Sequence, residues 1–188
     1  MTPRAIAIRA VGDEDAEALQ ALVAAVSRER RYLGSVAGFT VAQTRDYIGR
    51  VRASGGVQFG AWARGARQSP GRDLLGWIDV MPGRFEGLTH SGRLGMGVAA
   101  EARGRGIGKA LLTRALDAGF STLERIDLDV FASNERAQAL YLSVGFVEEG
   151  RRRCARKLDG VCDDILTYAL LRDEWLTGQA AVRRARRR

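Results

Sequence analysis

Arg103-Gly104-Arg105-Gly106-Ile107-Gly108-Lys109 is the stretch on which the reading of this chain turns. It follows a strand-like run, Leu94-Gly95-Met96-Gly97-Val98. It opens an amphipathic run from about Gly106 to Phe120, apolar at Ile107, Leu111, Leu112, Ala115 and Leu116. A glycine-rich turn at a helix entry presents successive backbone N–H groups at the positive end of the helix dipole, which makes a concave anion site. Glycine lets an anion approach the backbone without a Cβ in the way. Arg103, Arg105 and Lys109 add formal charge suited to a pyrophosphate or a ribose phosphate. Two phosphate loops of known spacing do not fit. A Walker A loop needs glycine where Arg103 stands and Ser or Thr where Ala110 stands. A dinucleotide fingerprint beginning at Gly104 needs its last glycine where Lys109 stands. The plain alternative is a helix entry that uses glycine only for a tight turn.

On the C-terminal side, Ile126-Asp127-Leu128-Asp129-Val130 alternates as a strand with one buried face does. Ser133 or Asn134 then caps a short helix to about Val144, with Asn134, Gln138 and Tyr141 on one of its faces. Gly145-Phe146-Val147 returns to strand, and Asp159-Gly160 is a two-residue hairpin turn whose second strand ends near Leu171. On the N-terminal side, Ile6–Ala10 reads as a strand. Asp13 is placed to cap a helix through Leu19, Leu22, Val23 and Val26, and Thr40-Val41-Ala42-Gln43 has capping-box form before a helix through Tyr47, Ile48 and Val51. Val57–Ala63 and Leu74–Val80 read as strands around a polar loop, Arg64 to Arg72, and a second loop runs from Met81 to Ser91.

The glycine turn and the second helix occur in the order of the GNAT acetyltransferases, and the chain resembles that family. Arg103-Gly104-Arg105-Gly106-Ile107-Gly108 is similar to the family's R/Q-x-x-G-x-G/A loop. Asn134-Glu135-Arg136-Ala137, followed by Leu140-Tyr141-Leu142-Ser143-Val144-Gly145-Phe146, is similar to its N-x-x-A…LY-x-x-x-GF stretch. The match is strongest from Leu94 to Gly150. It implies an α+β fold with a mixed, mostly antiparallel central sheet of about seven strands and about four flanking helices. It also implies acetyl-CoA as co-substrate and direct acetyl transfer to a primary amine. In that likeness Met96, Gly97 and Val98 pair with the pantetheine arm, and Arg103, Gly104, Arg105, Gly106, Ile107, Gly108 and Lys109 cradle the pyrophosphate. Asn134 binds the cofactor or positions water, and Tyr141 protonates the departing sulfur.

A base is still required, because most amines are protonated at neutral pH. Many relatives carry a glutamate before the glycine loop, where this chain has Gly92-Arg93-Leu94-Gly95. His90, the single histidine, and Glu86 rank first as candidates, ahead of Asp79. The Phe39-Thr40 helix entry and the Met81 to Ser91 loop fall where family members build the acceptor pocket. A small-molecule amine is the leading acceptor. A protein acceptor, N-terminal or ribosomal, and a non-catalytic acyl-CoA-binding module are the alternatives. The Asp159-Gly160 hairpin and Asp164 resemble the branch with ribosomal-protein and herbicide-type acetyltransferases. Dimers are common in the family, which leaves a homodimer open.

Composition bounds these readings. At 188 residues, 46% hydrophobic and 28% charged, the chain fits one domain with its own core, and wholesale disorder is excluded. Residues 1–172 are expected as that domain and 173–188 as a flexible basic tail. The net charge of +8 is uneven, for five arginines fall within Arg183–Arg188 and the rest of the chain carries only +3. Nucleic acid is therefore not expected as a partner. The longest strictly apolar run, Ala21 to Val26, is far short of the ~20 residues a membrane span needs, and no signal peptide is apparent. A cytoplasmic protein is expected. If Leu158 faces Val161, Cys154 lies opposite Ile165 and Cys162 opposite Lys157, on different faces of the ribbon. Two free thiols follow from that register, and two Cys with one His are too few for an all-protein structural zinc site, so no metal is expected.

Overall fold

A computed structural model describes residues 6–63 and 74–185; the polar loop expected from Arg64 to Arg72 lies outside the described residues. Seven strands occur in chain order: β1 (Ile6–Ala10), β2 (Val57–Ala63), β3 (Leu74–Pro82), β4 (Ser91–Val98), β5 (Arg125–Phe131), β6 (Val147–Leu158) and β7 (Val161–Leu171). The helices are α1 (Ala16–Arg28), α2 (Val41–Ala53), α3 (Ile107–Gly119), α4 (Glu135–Leu142) and α5 (Arg172–Ala185). The strand order is β1-β2-β3-β4-β5-β7-β6, so the architecture is α+β with a mostly antiparallel sheet. Among the described residues, no helix is long and apolar enough to cross a membrane.

The chain divides into two compact units. Met1–Met81 with Leu94–Ala115 forms the first, and Pro82–Arg93 with Leu116–Arg188 forms the second. In the first unit β1, β2 and β3 are consecutive antiparallel neighbours, with Gln58 directly opposite Asp79 and Gly60 opposite Trp77. Residues directly opposite in such a pair share a face, so these four lie on one side of the sheet. β3 is buried from Leu74 to Val80 on both of its faces. Toward one face, Leu111 of α3 comes within 3.0 Å of where a Cβ on Gly76 would stand. Leu111, Leu112, Ala115 and Leu116 are fully buried, as the stripe read from the spacing of α3 requires.

Local chemistry explains most boundaries. Thr40 and Gln43 form the expected capping box, the Gln43 N–H donating to Thr40 Oγ1 at 3.2 Å and the Thr40 N–H to Gln43 Oε1 at 2.9 Å. Asp13 does not cap α1. A 3-10 turn, Asp13–Asp15, precedes the helix, and Asp15 accepts from the Gly12 N–H at 2.9 Å and from Arg9 at 2.6 and 2.7 Å. The tighter turn wins because the carboxylate of Asp15, not Asp13, faces both partners.

In the second unit β4 runs parallel to β5, from Ser91 opposite Arg125 to Arg93 opposite Asp127, while β5–β7 and β6–β7 are antiparallel. Asp159 and Gly160 both adopt positive φ, as a two-residue hairpin turn of this type requires. The expected register holds at Leu158–Val161 and Lys157–Cys162, then breaks. Three residues of β6, Arg153–Ala155, stand against the single Asp164 of β7. That bulge carries Cys154 (φ 49°) toward Cys162, and the two form a disulfide with Cα atoms 4.8 Å apart. The expectation of two free thiols is thus corrected: it assumed an unbroken ladder.

The stretch read as a basic tail begins as α5. Trp175 is buried and donates through Nε1 to Asp117 at 3.1 Å, Arg172 Nε donates to the Leu123 carbonyl at 2.8 Å, and Glu174 accepts from the Leu171 N–H at 2.9 Å. One aromatic anchor and an N-terminal cap order a segment whose composition alone reads as solvated. Leu111→Ala should remove about 2–5 kcal/mol of stability, since its site is closed on all sides. Urea unfolding followed by circular dichroism checks this, and a loss below about 1 kcal/mol would show that α3 is not a core element.

Candidate active site

A cavity of about 600 Å³ opens on the Trp77–Asp79 face of the first unit. Residues of α1, of the loop after it (Leu33, Gly34, Ser35 and Phe39) and of α2 (among them Tyr47 and Arg50) line it, together with Gln58, Trp77, Asp79, Gly95 and Met96 of the sheet. Two glycines of β4 make this face. A Cβ on Gly97 would stand 2.2 Å from the Trp77 ring, and one on Gly95 would stand 3.4 Å from Asp79 Oδ1. Gly97 is therefore what lets the indole lie over the strand, while Gly95 leaves ordinary contact room beside the carboxylate.

Asp79 is 5% exposed and receives a hydrogen bond from the Tyr47 hydroxyl at 2.6 Å. Burial disfavours its charged form and pushes its pKa up to about 6, with the Tyr47 bond opposing that rise. The Tyr47 phenol is held above its ordinary value by burial and by the neighbouring carboxylate. Arg50 lies over the Tyr47 ring, its guanidinium carbon 5.7 Å from the centroid. The result is a buried carboxylate with a pKa of about 6 in a cavity lined by both apolar and polar side chains.

The glycine turn lies in the same unit. Gly104 (φ 79°) and Gly106 (φ 78°) both occupy the left-handed region, and a Cβ on Gly106 would meet no atom within 4 Å. The requirement there is conformational, and space is left open in front of the backbone. Arg105 and Lys109 are exposed beside it. Arg103 is engaged elsewhere: its guanidinium donates to both carboxylate oxygens of Glu29 at 2.7 and 2.5 Å, and its Nε donates to the Val98 carbonyl at 3.0 Å. Its guanidinium carbon also lies 4.7 Å from the centroid of the Tyr32 ring. Thirteen residues of α3 follow, so the turn has a full helix dipole behind it.

In the second unit Asn134 caps α4, its Oδ1 accepting from the Ala137 N–H at 3.3 Å. Gln138 Nε2 donates to the Ala132 carbonyl at 2.8 Å and, more weakly, to that of Phe131. Tyr141 is buried against Phe146 and Tyr168, ring centroids 5.8 and 6.4 Å away, and burial holds its phenol above the ordinary value. Glu86 and His90 are both exposed, Glu86 on a 3-10 turn. The His90 carbonyl accepts from the Glu124 and Arg125 N–H groups. Neither residue lines the cavity, whereas Asp79, third among the candidates for a base, does. Tyr47, Gln58 and Trp77 were not singled out from sequence. The available signal was a single acid and a single amide inside otherwise apolar strands.

The model of the acetyltransferase (GNAT) family matches residues 29–146, which is more than half of the chain and holds both the glycine turn and the Asn134–Phe146 segment. The chain belongs to this family. It is 29% identical over 107 residues to the spermidine N(1)-acetyltransferase of Vibrio cholerae. That alignment covers 56% of this chain and 61% of the relative. The chain spans 56% and 61% of the length of two curated relatives it matches. Among solved structures, the acetyltransferase of the GNAT family from Streptococcus pneumoniae superposes with a TM-score of 0.80 at 22% identity, covering 89% of this chain and 99% of that one. The ribosomal-protein-alanine N-acetyltransferase from Brucella melitensis superposes with a TM-score of 0.78 at 24% identity, covering 88% and 99%.

The buried carboxylate gives a stability prediction. Because its folded pKa lies above the unfolded value, Asp79 costs nothing below pH 4 and destabilises progressively as pH rises toward 6. Asp79→Asn keeps an acceptor for Tyr47 and removes the buried charge. It should unfold at higher urea than the native chain at pH 7.5, by up to about 3 kcal/mol, with the gain vanishing toward pH 4. A variant less stable than the native chain at pH 7.5 would sink the assignment.

Proposed function

We propose that this chain is an acetyl-CoA-dependent N-acetyltransferase that transfers its acetyl group directly to the primary amine of a small molecule. The observation that carries this reading is the cavity of the first unit. It brings a carboxylate of pKa about 6 to Gly95 and Met96 of β4, the strand that leads into the glycine turn. The family supplies the donor; the cavity supplies a place for an amine.

Acetyl-CoA fits the residues present. The left-handed glycines Gly104 and Gly106, the following N–H groups at Ile107 and Gly108, and the exposed Arg105 and Lys109 suit a pyrophosphate. Arg103 acts here by holding the turn through Glu29 and Val98, and its side chain is not counted among the phosphate ligands. Met96, Gly97 and Val98 would meet the pantetheine arm through their backbones, and Asn134 would bind the cofactor or a water beside it. When bound, acetyl-CoA supplies an activated thioester carbonyl.

Asp79 is the base in this reading. A carboxylate with pKa near 6 is ionised at neutral pH and still basic enough to take the proton an ammonium must lose before its nitrogen can attack. Tyr47 fixes that carboxylate by donating to it. Tyr141, protonated because it is buried, gives its proton to the departing sulfur as the C–S bond breaks and the C–N bond forms. Orientation of both reactants supplies much of the rate. A module that only senses acyl-CoA would have no use for a titrating carboxylate in the cavity.

Two measurements test the reading. In calorimetric titration acetyl-CoA should bind and ATP should not; absence of acetyl-CoA binding would reduce the glycine turn to a helix entry. Tyr141→Phe should lower turnover at least tenfold, about 1.4 kcal/mol of barrier, with little change in affinity for CoA. Equal rates would remove Tyr141 as the acid.

A further inference from the structure

Gln58 stands directly opposite Asp79 across the β2–β3 ladder and lines the same cavity. Its side chain is 8% exposed, and neither its Nε2 nor its Oε1 has a hydrogen-bond partner among the described residues. Leaving a buried amide unbonded is destabilising, and the same strand position filled by leucine or methionine would carry no such cost. Ser27 and Trp62 also carry unpartnered buried atoms, but neither lines the cavity. Among the described residues, Gln58 alone combines the deficit with a place beside the carboxylate.

We infer that Gln58 is a specificity-determining residue that reads a neutral group, bearing both a hydrogen-bond donor and an acceptor, on the carbon next to the reacting amine. This rests on the N-acetyltransferase reading of the cavity. Side chains directly opposite in an antiparallel pair have Cβ atoms about 5 Å apart. A ligand whose amine meets Asp79 therefore presents its neighbouring substituent to Gln58. The side-chain amide offers one acceptor and a donating NH₂, and no hydrogen bond of its own opposes rotation of that amide toward the ligand. A hydroxyl or a primary carboxamide satisfies both atoms at once. A carboxylate satisfies only Nε2, a second ammonium satisfies only Oε1, and a methyl group satisfies neither. The favoured acceptors are then amino alcohols and amino amides, and simple polyamines are disfavoured.

The test uses amines of one skeleton: alaninol, alaninamide, alanine and isopropylamine, with putrescine as the polyamine. Binding is measured by calorimetry in the presence of CoA, and transfer by thiol release from acetyl-CoA. The native chain should favour alaninol or alaninamide over isopropylamine at least about tenfold in kcat/KM, because a site built to hydrogen-bond a substrate group rejects the analogue lacking it. The two arms separate the hydroxyl from the carboxamide. Gln58→Leu and Gln58→Met should each bring that ratio close to one, and a ratio is unaffected by a general loss of activity. Having two apolar variants covers the failure of either to fold. Equal use of isopropylamine, preference for alanine or putrescine, or a preference that survives in the variants would overturn the role of Gln58. Thiol release without preference overturns Gln58 alone. A binding preference without thiol release upholds Gln58 and overturns acetyl transfer; neither binding nor release overturns both.

Discussion

The first unit depends on one spatial constraint: an indole and a carboxylate lying across a strand that has no side chains at the facing positions. Trp77 and Asp79 alternate on β3, and Gly97 and Gly95 alternate on β4 to receive them. Any Cβ at Gly97 would enter the Trp77 ring, so Gly97 and Trp77 can change only together. This constraint shapes the cavity, since Trp77 and Asp79 form its floor, and it determines the protonation of Asp79. A carboxylate over bare backbone, enclosed by α1 and α2, loses its hydration and keeps one hydrogen bond, from Tyr47. Geometry and acidity have a single cause here.

The fold was legible because its elements carry signals that burial reinforces. The stripe of α3, the capping box at Thr40, the Asn134 cap and the Asp159-Gly160 turn each combine local propensity with a tertiary role, and local and global preferences agree. The misreadings share the opposite character. The bulge at Arg153–Ala155 has no composition of its own, and it alone decides whether Cys154 meets Cys162. Helix α5 depends on Trp175 reaching Asp117, a contact 58 residues distant in sequence. The Arg-rich end masks it. Asp79 was visible as an acid in an apolar strand, but its rank among possible bases depends on which residues fold over it, and Glu86 and His90 ranked ahead of it until their exposure was known.

Arginine placement shows the same limit for charge. Arg103 belongs to the glycine turn in sequence, and its neighbours Arg105 and Lys109 point to an anion. Yet its bidentate bridge to Glu29, its bond to Val98 and its stacking on Tyr32 use the guanidinium to join the turn to the segment after α1. Leu33, Gly34, Ser35 and Phe39, just beyond those contacts, line the cavity. Arginine suits this task better than lysine because its planar fork can engage a carboxylate, a carbonyl and an aromatic face together. Formal charge near a turn therefore overstates what is free for a ligand, and the exposed Arg105 and Lys109 remain for that purpose.

Asp79 and Gln58 lie opposite each other and are both buried without full hydrogen bonding, which is the pattern least expected of a pair selected for stability. A core built for stability alone would put two apolar side chains at these positions, matching the rest of β3 and its neighbours. The two deficits differ in kind. The carboxylate retains one bond and is short of solvation for its charge, a lack that an ammonium can supply. The amide retains no bond and is short of one donor and one acceptor, which a charged amine cannot supply by itself. The complementary ligand must therefore bring two unlike groups within one carbon of each other. A cavity with only Asp79 on its floor would accept any amine of suitable size. With Gln58 beside it, as we propose, the floor would distinguish among amines by the neighbouring substituent.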